Sequence, residues 1–378
     1  MSEQAMPRLV NRMISATDER ILRGFVAKLN WRSAEVDSLR RFGFSDSYMY
    51  VLRPDDGSGQ PHVAKIGPAA KIKRERLAWQ SVRGYLETDD MIHGADLAAH
   101  RAGLCFRLRS RTGRDTDVVE LDDYYRKALA GDGHAKQELI RHLTEIYDSM
   151  SGAHHVSVNA DRRTYRSLFA RYLRAGMGAN RVQMLFRGDE TPIEVCGHVV
   201  SRDPLRSVPK LLDRTVDSFY ASAVHGDLHL SNIVISRDRP HLIDYEWAGL
   251  RDHLAKDFVL MESSLRFMRF PRQIHPRVML GIDEVLNSEW DVDIARELVS
   301  VRLDPLSSTA LHCMLDIVGV IRGQFAATVA KLRGQASWAR EYFTCLYLIM
   351  AGMQRFDTFP LTRTVVNLRQ LELWAEER

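Results

Sequence analysis

The chain has 378 residues, of which 45% are hydrophobic and 27% are charged. These proportions are typical of a globular protein and argue against a disordered or collagen-like chain. The 53 Lys and Arg residues against 49 Asp and Glu leave a net charge of +4, too small to indicate nucleic-acid binding. The length predicts two packed units or one large protein of two lobes.

The four cysteines are widely spaced and form no CxxC pair. This spacing argues against a disulfide framework or a zinc site and is typical of proteins in the reducing cytosol. The N-terminal stretch lacks the apolar core of a secretory signal, and no apolar run reaches the roughly 20 residues that span a bilayer. We therefore expect a soluble, cytoplasmic protein with neither a membrane nor a nucleic-acid partner.

The chain order predicts a small β-rich unit followed by a large helical one. SYMYVLR, the turn PDDGSGQ and PHVAKIG predict two paired strands, and a helix is expected over residues 69–87. Two more strands, ADLAAHRA and GLCFRLRS, are expected to meet across a turn at Ala102-Gly103. The predicted units are 1–40 (helical segment), 41–112 (β-rich with one key helix) and 113–378 (helical, with a β hairpin at 224–246).

The chemistry concentrates in Ala223–Gly249, AVHGDLHLSNIVISRDRPHLIDYEWAG. Two short apolar runs, NIVI and HLID, flank the polar SRDRP, which predicts a hairpin. Pairing Ile235 with His241 would set Asn232 opposite Asp244 at the open end of the hairpin. A carboxamide and a carboxylate presented together are hard oxygen ligands that suit Mg²⁺.

A second carboxylate precedes the hairpin. Asp227 lies five residues before Asn232, in a loop that begins with His225-Gly226, and the loop would hold it beside the predicted metal ligands. Phosphoryl transfer needs metal ligands that neutralise the phosphates and a carboxylate that orients the attacking hydroxyl and accepts its proton. The segment contains this set of groups.

HGDLHLSN followed by LIDYE resembles the catalytic loop and metal-binding strand of the aminoglycoside phosphotransferase and choline kinase superfamily. Its D-x-x-x-x-N spacing also matches the catalytic loop of protein kinases. The resemblance covers residues 41–262 and implies an α+β, bilobal protein-kinase-like fold with a small antiparallel-sheet N-lobe and a mainly helical C-lobe. The C-terminal helical region and the segment DFVLMESSLR more faintly resemble kinase-like domains of bacterial conflict systems.

The resemblance implies a role for each residue of the motif. Asp227 would be the catalytic base, and Asn232 and Asp244 would bind Mg²⁺. His225 would support the loop, and His229 would lie near the phosphates or the acceptor.

Three further positions are weighed beside the motif. Asp257, in LAKDFVLME, matches an acidic residue that braces the catalytic loop in this superfamily. Glu246 matches an I-D-x-E pattern that supports the metal site in choline-kinase-like enzymes, and a plain ion pair on the hairpin is the alternative. His154-His155 has no companion ligands at useful spacing, so we expect a loop there and no metal site.

The N-terminal unit should supply a lysine that anchors the phosphates. Lys65 in PHVAKIG resembles the V-A-I-K strand of kinases, and Glu75 on the next helix is expected to pair with it, in preference to Glu87. Because the pair would face a hydrated cleft, we expect it to add only about 0–1 kcal/mol to folding. The turn GFSDSY lies where a phosphate-covering loop belongs, so Ser45 or Ser47 is predicted to contact ATP, with a plain strand turn as the alternative.

The predicted function is transfer of the γ-phosphate of ATP, with Mg²⁺, to a hydroxyl of a small-molecule acceptor. GTP in place of ATP stays open. One alternative is a non-catalytic nucleotide-binding scaffold, a pseudokinase that signals to a partner, although Lys65, Asp227, Asn232 and Asp244 are all intact. The other alternative is a kinase that acts on a protein partner.

Overall fold

The computed structural model describes residues 8–10, 14–39, 47–55, 59–86, 90–96, 100–108, 118–154, 163–177, 181–186, 192–216, 220–236, 238–270, 274–299, 304–330, 338–354, 356 and 360–376. The strands are β1 (Arg8–Val10), β2 (Ser33–Ser38), β3 (Tyr48–Pro54), β4 (His62–Pro68), β5 (Met91–Asp96), β6 (Arg101–Arg107), β7 (Val118–Glu120), β8 (Arg163–Thr164), β9 (Ile193–Val195), β10 (His198–Val200), β11 (Thr215–Val216), β12 (Tyr220–Val224), β13 (Ile233–Ser236), β14 (Arg239–Leu242) and β15 (Gly249–His253). The helices are α1 (Ala16–Lys28), α2 (Ala69–Val82), α3 (Leu121–Leu129), α4 (Gly133–Ser149), α5 (Tyr165–Met177), α6 (Arg181–Leu185), α7 (Val208–Leu212), α8 (Ala255–Ser263), α9 (Pro276–Ser288), α10 (Val292–Val299), α11 (Pro305–Val329), α12 (Trp338–Met353) and α13 (Leu361–Glu376).

The chain divides into two compact units. The sheet unit comprises Met1–Asp123 and Leu230–Gly249, and the helical unit comprises Tyr124–His229 and Leu250–Arg378. This division differs from the predicted limits at 40 and 112, because the predicted hairpin belongs with the sheet unit. Its strand β13 pairs with β7, which joins the hairpin to the end of the N-terminal part of the chain.

The sheet unit is built on six strands in the order β1-β2-β3-β4-β6-β5. β1 and β2 run parallel with α1 between them, and the other neighbours run antiparallel. The prediction of a purely helical segment up to residue 40 was therefore wrong: only α1 is helical, capped by Ser15, whose Oγ accepts from the Asp18 N–H at 3.1 Å. β2 was missed because only Ala34 and Val36 of its six residues are buried, which leaves a weak alternation.

Strand alternation gives this sheet two buried faces. On one face, residues of β2, β3, β4 and β6 pack with α1; on the other, residues of β3 and β4 pack with the hairpin. Because Lys65 and Val63 are two residues apart on β4, they share the face that meets the hairpin. The α1 face contains Val36, Tyr50, Leu52, Ala64, Ile66 and Cys105, and the hairpin face contains Met49, Val63, Leu108, Val234 and Ile243.

Gly103 lies inside a strand, so the turn predicted at Ala102-Gly103 was wrong. It belongs to β6, where it pairs with Ile66 of β4 and with Gly94 of β5. A Cβ on Gly103 would lie 3.1 Å from Ile21, from Phe25 and from the Lys65 carbonyl oxygen. The glycine therefore permits close packing of α1 on the sheet, a tertiary reason that a turn reading of the sequence overlooks.

The helical unit contains α4 to α13 and packs around α8, whose nine residues are all buried. α12 packs against α5, α8 and α13, and α8 continues into a π-helical turn, Ser264–Met268. The predicted α+β class is confirmed: a small antiparallel-sheet lobe carries the key helix α2, and the other lobe is mainly helical. The predicted extent of that helix was too long, because α2 ends at Val82.

Among the described helices, α11 alone is long and apolar enough to cross a membrane by length and composition. However, 56% of its most apolar stretch of 18 residues is buried inside the protein. It packs against α4, α8 and α10, so it is a core helix of this unit.

Candidate active site

The predicted hairpin forms, with a register one residue from the predicted one. Ile235 pairs with Pro240, and the turn contains Asp238 in the left-handed conformation at φ 61°. The tight turn places Asn232 opposite Ile243, whose N–H donates to the Asn232 carbonyl oxygen at 3.0 Å. Pairing Ile235 with His241 was wrong because it allowed too long a loop between the strands.

Asp244 follows the hairpin in a left-handed conformation, with φ 67° and ψ 65°. A non-glycine residue adopts this conformation at a cost, and such strain is concentrated at functional sites. Because the backbone leaves the extended conformation at Asp244, the direction of its side chain no longer follows the alternation of the preceding strand. The carboxylate instead points toward β4. Asp244 Oδ1 accepts a hydrogen bond from Lys65 Nζ at 2.6 Å.

Lys65, Glu75 and Asp244 form one charged cluster within the sheet unit. Lys65 Nζ lies 2.6 Å from Glu75 Oε2 and 2.6 Å from Asp244 Oδ1. The predicted Lys65–Glu75 pair is therefore confirmed, while Glu87 lies outside the described residues. One ammonium and two carboxylates leave a formal charge of −1, which favours an added cation.

The expectation that this pair is hydrated was wrong. The side chains of Lys65 and Glu75 are 0% exposed, because α2 packs directly on the sheet and against the segment after Asp244. In a buried pair, losing one partner leaves an uncompensated charge, which costs about 3–5 kcal/mol. The pair therefore contributes to folding as well as to the position of the ammonium.

The donor set at the hairpin end fits Mg²⁺. Asn232 is fully buried, and Asp244 keeps 10% of its side chain exposed. The backbone bond between Asn232 and Ile243 holds the carboxamide residue beside the residue that precedes Asp244. A carboxamide and a carboxylate, in a cluster of net negative charge, match the oxygen preference of Mg²⁺.

Glu246 forms ion pairs with the helix that carries Glu75. Its carboxylate lies 3.4 Å from Lys71 and 3.0 Å from Arg74, both on α2. Between Asp244 and Glu246, Tyr245 is buried and its ring lies 6.2 Å from that of Phe106. These ion pairs tie the segment after Asp244 to α2, whereas the expected ion pair was on the hairpin. Support of the metal site by Glu246 stays a prediction.

An apolar cluster lies beside the charged one. Met49, Val63, Leu108, Val234 and Ile243 pack together on the hairpin face of the sheet. Val63 is two residues before Lys65, and Ile243 directly precedes Asp244, so apolar and charged groups share one face of the sheet unit. The apolar cluster is buried core, and it holds the strand that carries Lys65 against the hairpin that ends at Asp244.

The predicted catalytic loop lies in the helical unit. His225 and Leu228 are fully buried there, whereas the side chain of Asp227 is 28% exposed. His229 Nε2 lies 3.8 Å from Asp227 Oδ2. The loop therefore presents one carboxylate to solvent from an otherwise buried segment, with an imidazole next to it.

Asp257, on α8, holds this loop through its backbone. Its carboxylate accepts from the N–H of His225 at 3.0 Å and from the N–H of Gly226 at 2.8 Å. The predicted brace is confirmed as a contact, and Gly226 allows it with a positive φ of 75°. Burial alone would raise the pKa of Asp257, but the His154 hydrogen bond, the charges of His154 and His225, and the Gly226 N–H hold this pKa below its ordinary value.

Two residues of this loop support were missed by the sequence analysis. His154 is buried, and its Nε2 lies 3.1 Å from Asp257 Oδ2, so it orients the brace; its neighbour His155 lies outside the described residues. Tyr172 donates from its hydroxyl to the Gly226 carbonyl oxygen. Both are remote from the motif in sequence, so the only available signal was the pair of histidines.

The phosphate-covering turn is only partly described. Ser45 lies outside the described residues. Ser47 directly precedes β3 and lies against Gly67, which follows Lys65 by two residues on the neighbouring strand β4. The predicted contact of either serine with ATP stays a prediction.

A separate cluster, His253, Glu341 and Cys345, brings three metal-ligand types together in the helical unit. His253 Nε2 lies 2.7 Å from Glu341 Oε1, and its Nδ1 accepts from the Ala255 N–H. Cys345 Sγ lies 3.5 Å from both ring nitrogens, which puts it over the imidazole face, whereas a metal bound to Nε2 lies in the ring plane. The contacts fit a buried hydrogen-bond network, and burial followed by the Glu341 charge raises the pKa of Cys345.

Solved structures of several phosphotransferases resemble this chain at low identity. A protein assigned as an aminoglycoside phosphotransferase from Ralstonia eutropha JMP134 is 14% identical, with 94% of this chain and 99% of that chain covered and a TM-score of 0.42. A glucosamine kinase is 13% identical over 95% of this chain and 87% of its own, with a TM-score of 0.46. The aminoglycoside phosphotransferase APH(4)-Ia, in a complex with ADP and hygromycin B, is 13% identical over 82% and 98%, with a TM-score of 0.39.

No curated protein matches this sequence. A family model does match: the model of ternary complex associated domain 9 covers residues 150–351. The matched stretch includes the predicted catalytic loop, the hairpin, and both Asp244 and Asp257. Since it spans more than half of the chain, this protein belongs to the ternary complex associated domain 9 family.

Proposed function

We propose that this protein is a phosphotransferase that moves the γ-phosphate of ATP, with Mg²⁺, to a hydroxyl group of a small-molecule acceptor. The observation that carries the proposal is the buried cluster of Lys65, Glu75 and Asp244. A strand lysine fixed by a helix glutamate, beside a carboxylate suited to Mg²⁺, is the arrangement that phosphoryl transfer from a nucleotide requires.

The sheet unit supplies the groups proposed to bind the nucleotide. Lys65 would contact the phosphates, and the buried cluster around Val63 and Val234 would hold β4 against the hairpin. Asn232 and Asp244 would hold Mg²⁺, which supplies charge neutralisation of the phosphates when bound. Glu75 orients the ammonium of Lys65 and does not itself contact the nucleotide.

The helical unit supplies the proposed base. Asp227 would accept the proton of the acceptor hydroxyl. The hydroxyl oxygen of the acceptor would then bond to the γ-phosphorus, while the bond from that phosphorus to the β–γ bridging oxygen breaks and ADP is released. Its 28% exposed side chain leaves room for a substrate, and Asp257 fixes the loop that carries it. His229, 3.8 Å from the same carboxylate, would lie beside the acceptor or the phosphates.

The proposal is tested by incubating the protein with γ-³²P-labelled ATP, Mg²⁺ and a panel of hydroxylated amino sugars and amino alcohols, and then separating the products. The expected result is label on a small molecule, with turnover lower by about 10²–10⁴-fold in Asp227→Asn. Label on a protein would show that the acceptor is a hydroxyl group of a protein and not a small molecule. Absence of transfer, together with tight Mg²⁺-dependent nucleotide binding, would replace catalysis by a nucleotide-binding scaffold.

A further inference from the structure

A cavity of about 790 Å³ lies in the helical unit, apart from the residues of the predicted catalytic loop. It is bounded by the segment around α7, the first turn of α12 and the last turn of α13. Four of its lining side chains are basic, and one is acidic: Arg206, Lys210, Arg214, Arg340 and Glu376.

Three of the basic residues form a row. Arg206, Lys210 and Arg214 follow one another at intervals of four, and the backbone from Ser207 to Asp213 is helical or near-helical. Residues four apart lie on the same side of a helix, and like charges at that spacing repel each other. All three side chains are exposed, so an anion in the cavity would reach them and relieve this repulsion.

The single carboxylate of the cavity is already engaged by other groups. Glu376 lies 2.6 Å from Arg202 and accepts from the Ser207 hydroxyl at 2.9 Å. Burial would raise the pKa of Glu376, but Ser207, Arg202 and Arg369 hold it below its ordinary value. Its charge therefore does little to neutralise the row.

The basic groups retain binding capacity. Within the described part of the chain, neither Arg206 nor Lys210 has a carboxylate at ion-pair distance. Arg214 Nη1 donates to the Ala375 carbonyl oxygen and Arg340 Nε to that of Trp374, which caps the end of α13. The Nη2 atom of Arg340 is buried and has no hydrogen-bond partner among the described residues.

We propose that this cavity binds a small molecule that carries two or more phosphate groups. Its volume lies within the roughly 300–1,000 Å³ of small-molecule sites, so it favours a compact ligand over an extended one. Guanidinium groups bind phosphate through paired hydrogen bonds, and Lys210 adds a point charge. The site is separate from the proposed nucleotide site, and the inference does not depend on catalysis.

Inorganic pyrophosphate, titrated calorimetrically without Mg²⁺, tests this site. The double variant Arg206→Gln/Lys210→Gln is expected to bind at least about tenfold more weakly than the wild type, with a shallower salt dependence. The control is Arg166→Gln. Arg166 is also exposed, is paired with Asp213 and does not line the cavity, so the affinity of this variant for pyrophosphate is expected to be unchanged. Pyrophosphate bound only at Lys65 would not respond to the double substitution.

Three results would overturn the proposal: no binding of pyrophosphate by the wild type, the same affinity in the double variant, or an equal loss in the control. An acidic peptide that binds more tightly than pyrophosphate and loses affinity in the double variant would overturn the assignment of the ligand class. Because both substituted side chains are exposed, the double variant is expected to fold, which its melting temperature checks.

Discussion

The ammonium of Lys65 lies 2.6 Å from the carboxylate of Asp244, although 179 residues separate the two in the chain. The same ammonium pairs with Glu75, so one nitrogen joins strand β4, helix α2 and the end of the hairpin within the sheet unit. Position of the proposed phosphate-binding group and stability of the unit therefore depend on the same contacts.

Replacing Lys65 is expected to destabilise the protein. Lys65→Met leaves two carboxylates in a site where the lysine was fully buried, so the free energy of unfolding should fall by about 3–5 kcal/mol. The matched control is Arg74→Ala, whose side chain is 59% exposed and whose pair with Glu246 should contribute about 0–1 kcal/mol. Urea denaturation measures both. Equal losses in the two variants would show that burial does not govern the Lys65 cluster.

Glu262 is expected to control acid stability in the helical unit. Burial alone would raise its pKa, but Arg322, Arg266 and the Tyr342 hydroxyl lower it to about 2. A depressed pKa stabilises the fold fully above the ordinary value of 4.5, and this contribution is lost as the pH falls from 4.5 toward about 2.

Glu262→Gln removes that titration. At neutral pH it should cost about 3–5 kcal/mol, because the buried Arg322 loses its carboxylate partner and Arg266 keeps only Asp283. The variant should also lose less additional stability than the wild type between about pH 5 and pH 3. Denaturation midpoints at the two pH values measure this. The control Glu138→Gln removes a partly exposed partner of the exposed Arg141 and should cost under about 1 kcal/mol. Parallel pH profiles for wild type and Glu262→Gln would contradict the assignment.

The close approach of α1 to the sheet can be tested with two glycines. Gly103→Ala places a Cβ 3.1 Å from the Lys65 carbonyl oxygen and from two α1 side chains, so it should destabilise by about 1–3 kcal/mol. Gly24→Ala, on α1 itself, meets nothing within 4 Å and should stabilise by about 0.5–1 kcal/mol. Thermal melting of both variants gives the comparison. A neutral Gly103→Ala would show that α1 is free to shift.

The contact of Asp257 with the proposed catalytic loop is expected to affect turnover more than nucleotide binding. Asp257→Asn keeps the shape of the side chain but weakens the bonds from the His225 and Gly226 N–H groups, so Asp227 should lose its fixed position. A misplaced catalytic group costs about 10²-fold in rate. Transfer of labelled phosphate to the acceptor measures turnover, and calorimetry measures nucleotide affinity. His154→Gln should give a milder form of the same split, and a fall in affinity alone would assign the brace to nucleotide binding.

Local chemistry made much of the fold predictable. The β3–β4 hairpin and the β13–β14 hairpin follow from alternation and turn residues, and the Lys65–Glu75 pair follows from a strand and helix in sequence. The hairpin register was missed by one residue because the length of the turn is set by the left-handed Asp238, which the composition of SRDRP does not specify.

Tertiary packing explains the remaining differences. The sequence does not reveal that α1 covers one face of the sheet, so Gly103 was read as a turn. It also does not reveal that α2 packs directly on the sheet, so the pair at Lys65 was read as hydrated. His154 was set aside because its partner, Asp257, lies 103 residues away. Such contacts depend on how helices pack, and a single sequence carries little information about that.

Calorimetric titration with AMP-PNP and Mg²⁺ tests the central claim most directly, because this nucleotide reports binding without turnover. The wild type should bind in an Mg²⁺-dependent manner, Asp227→Asn should bind equally well, and Asp244→Asn, which keeps a hydrogen-bond acceptor for Lys65, should lose at least about tenfold in affinity. Asp244→Asn binding as tightly as the wild type, with or without Mg²⁺, would contradict the proposed site.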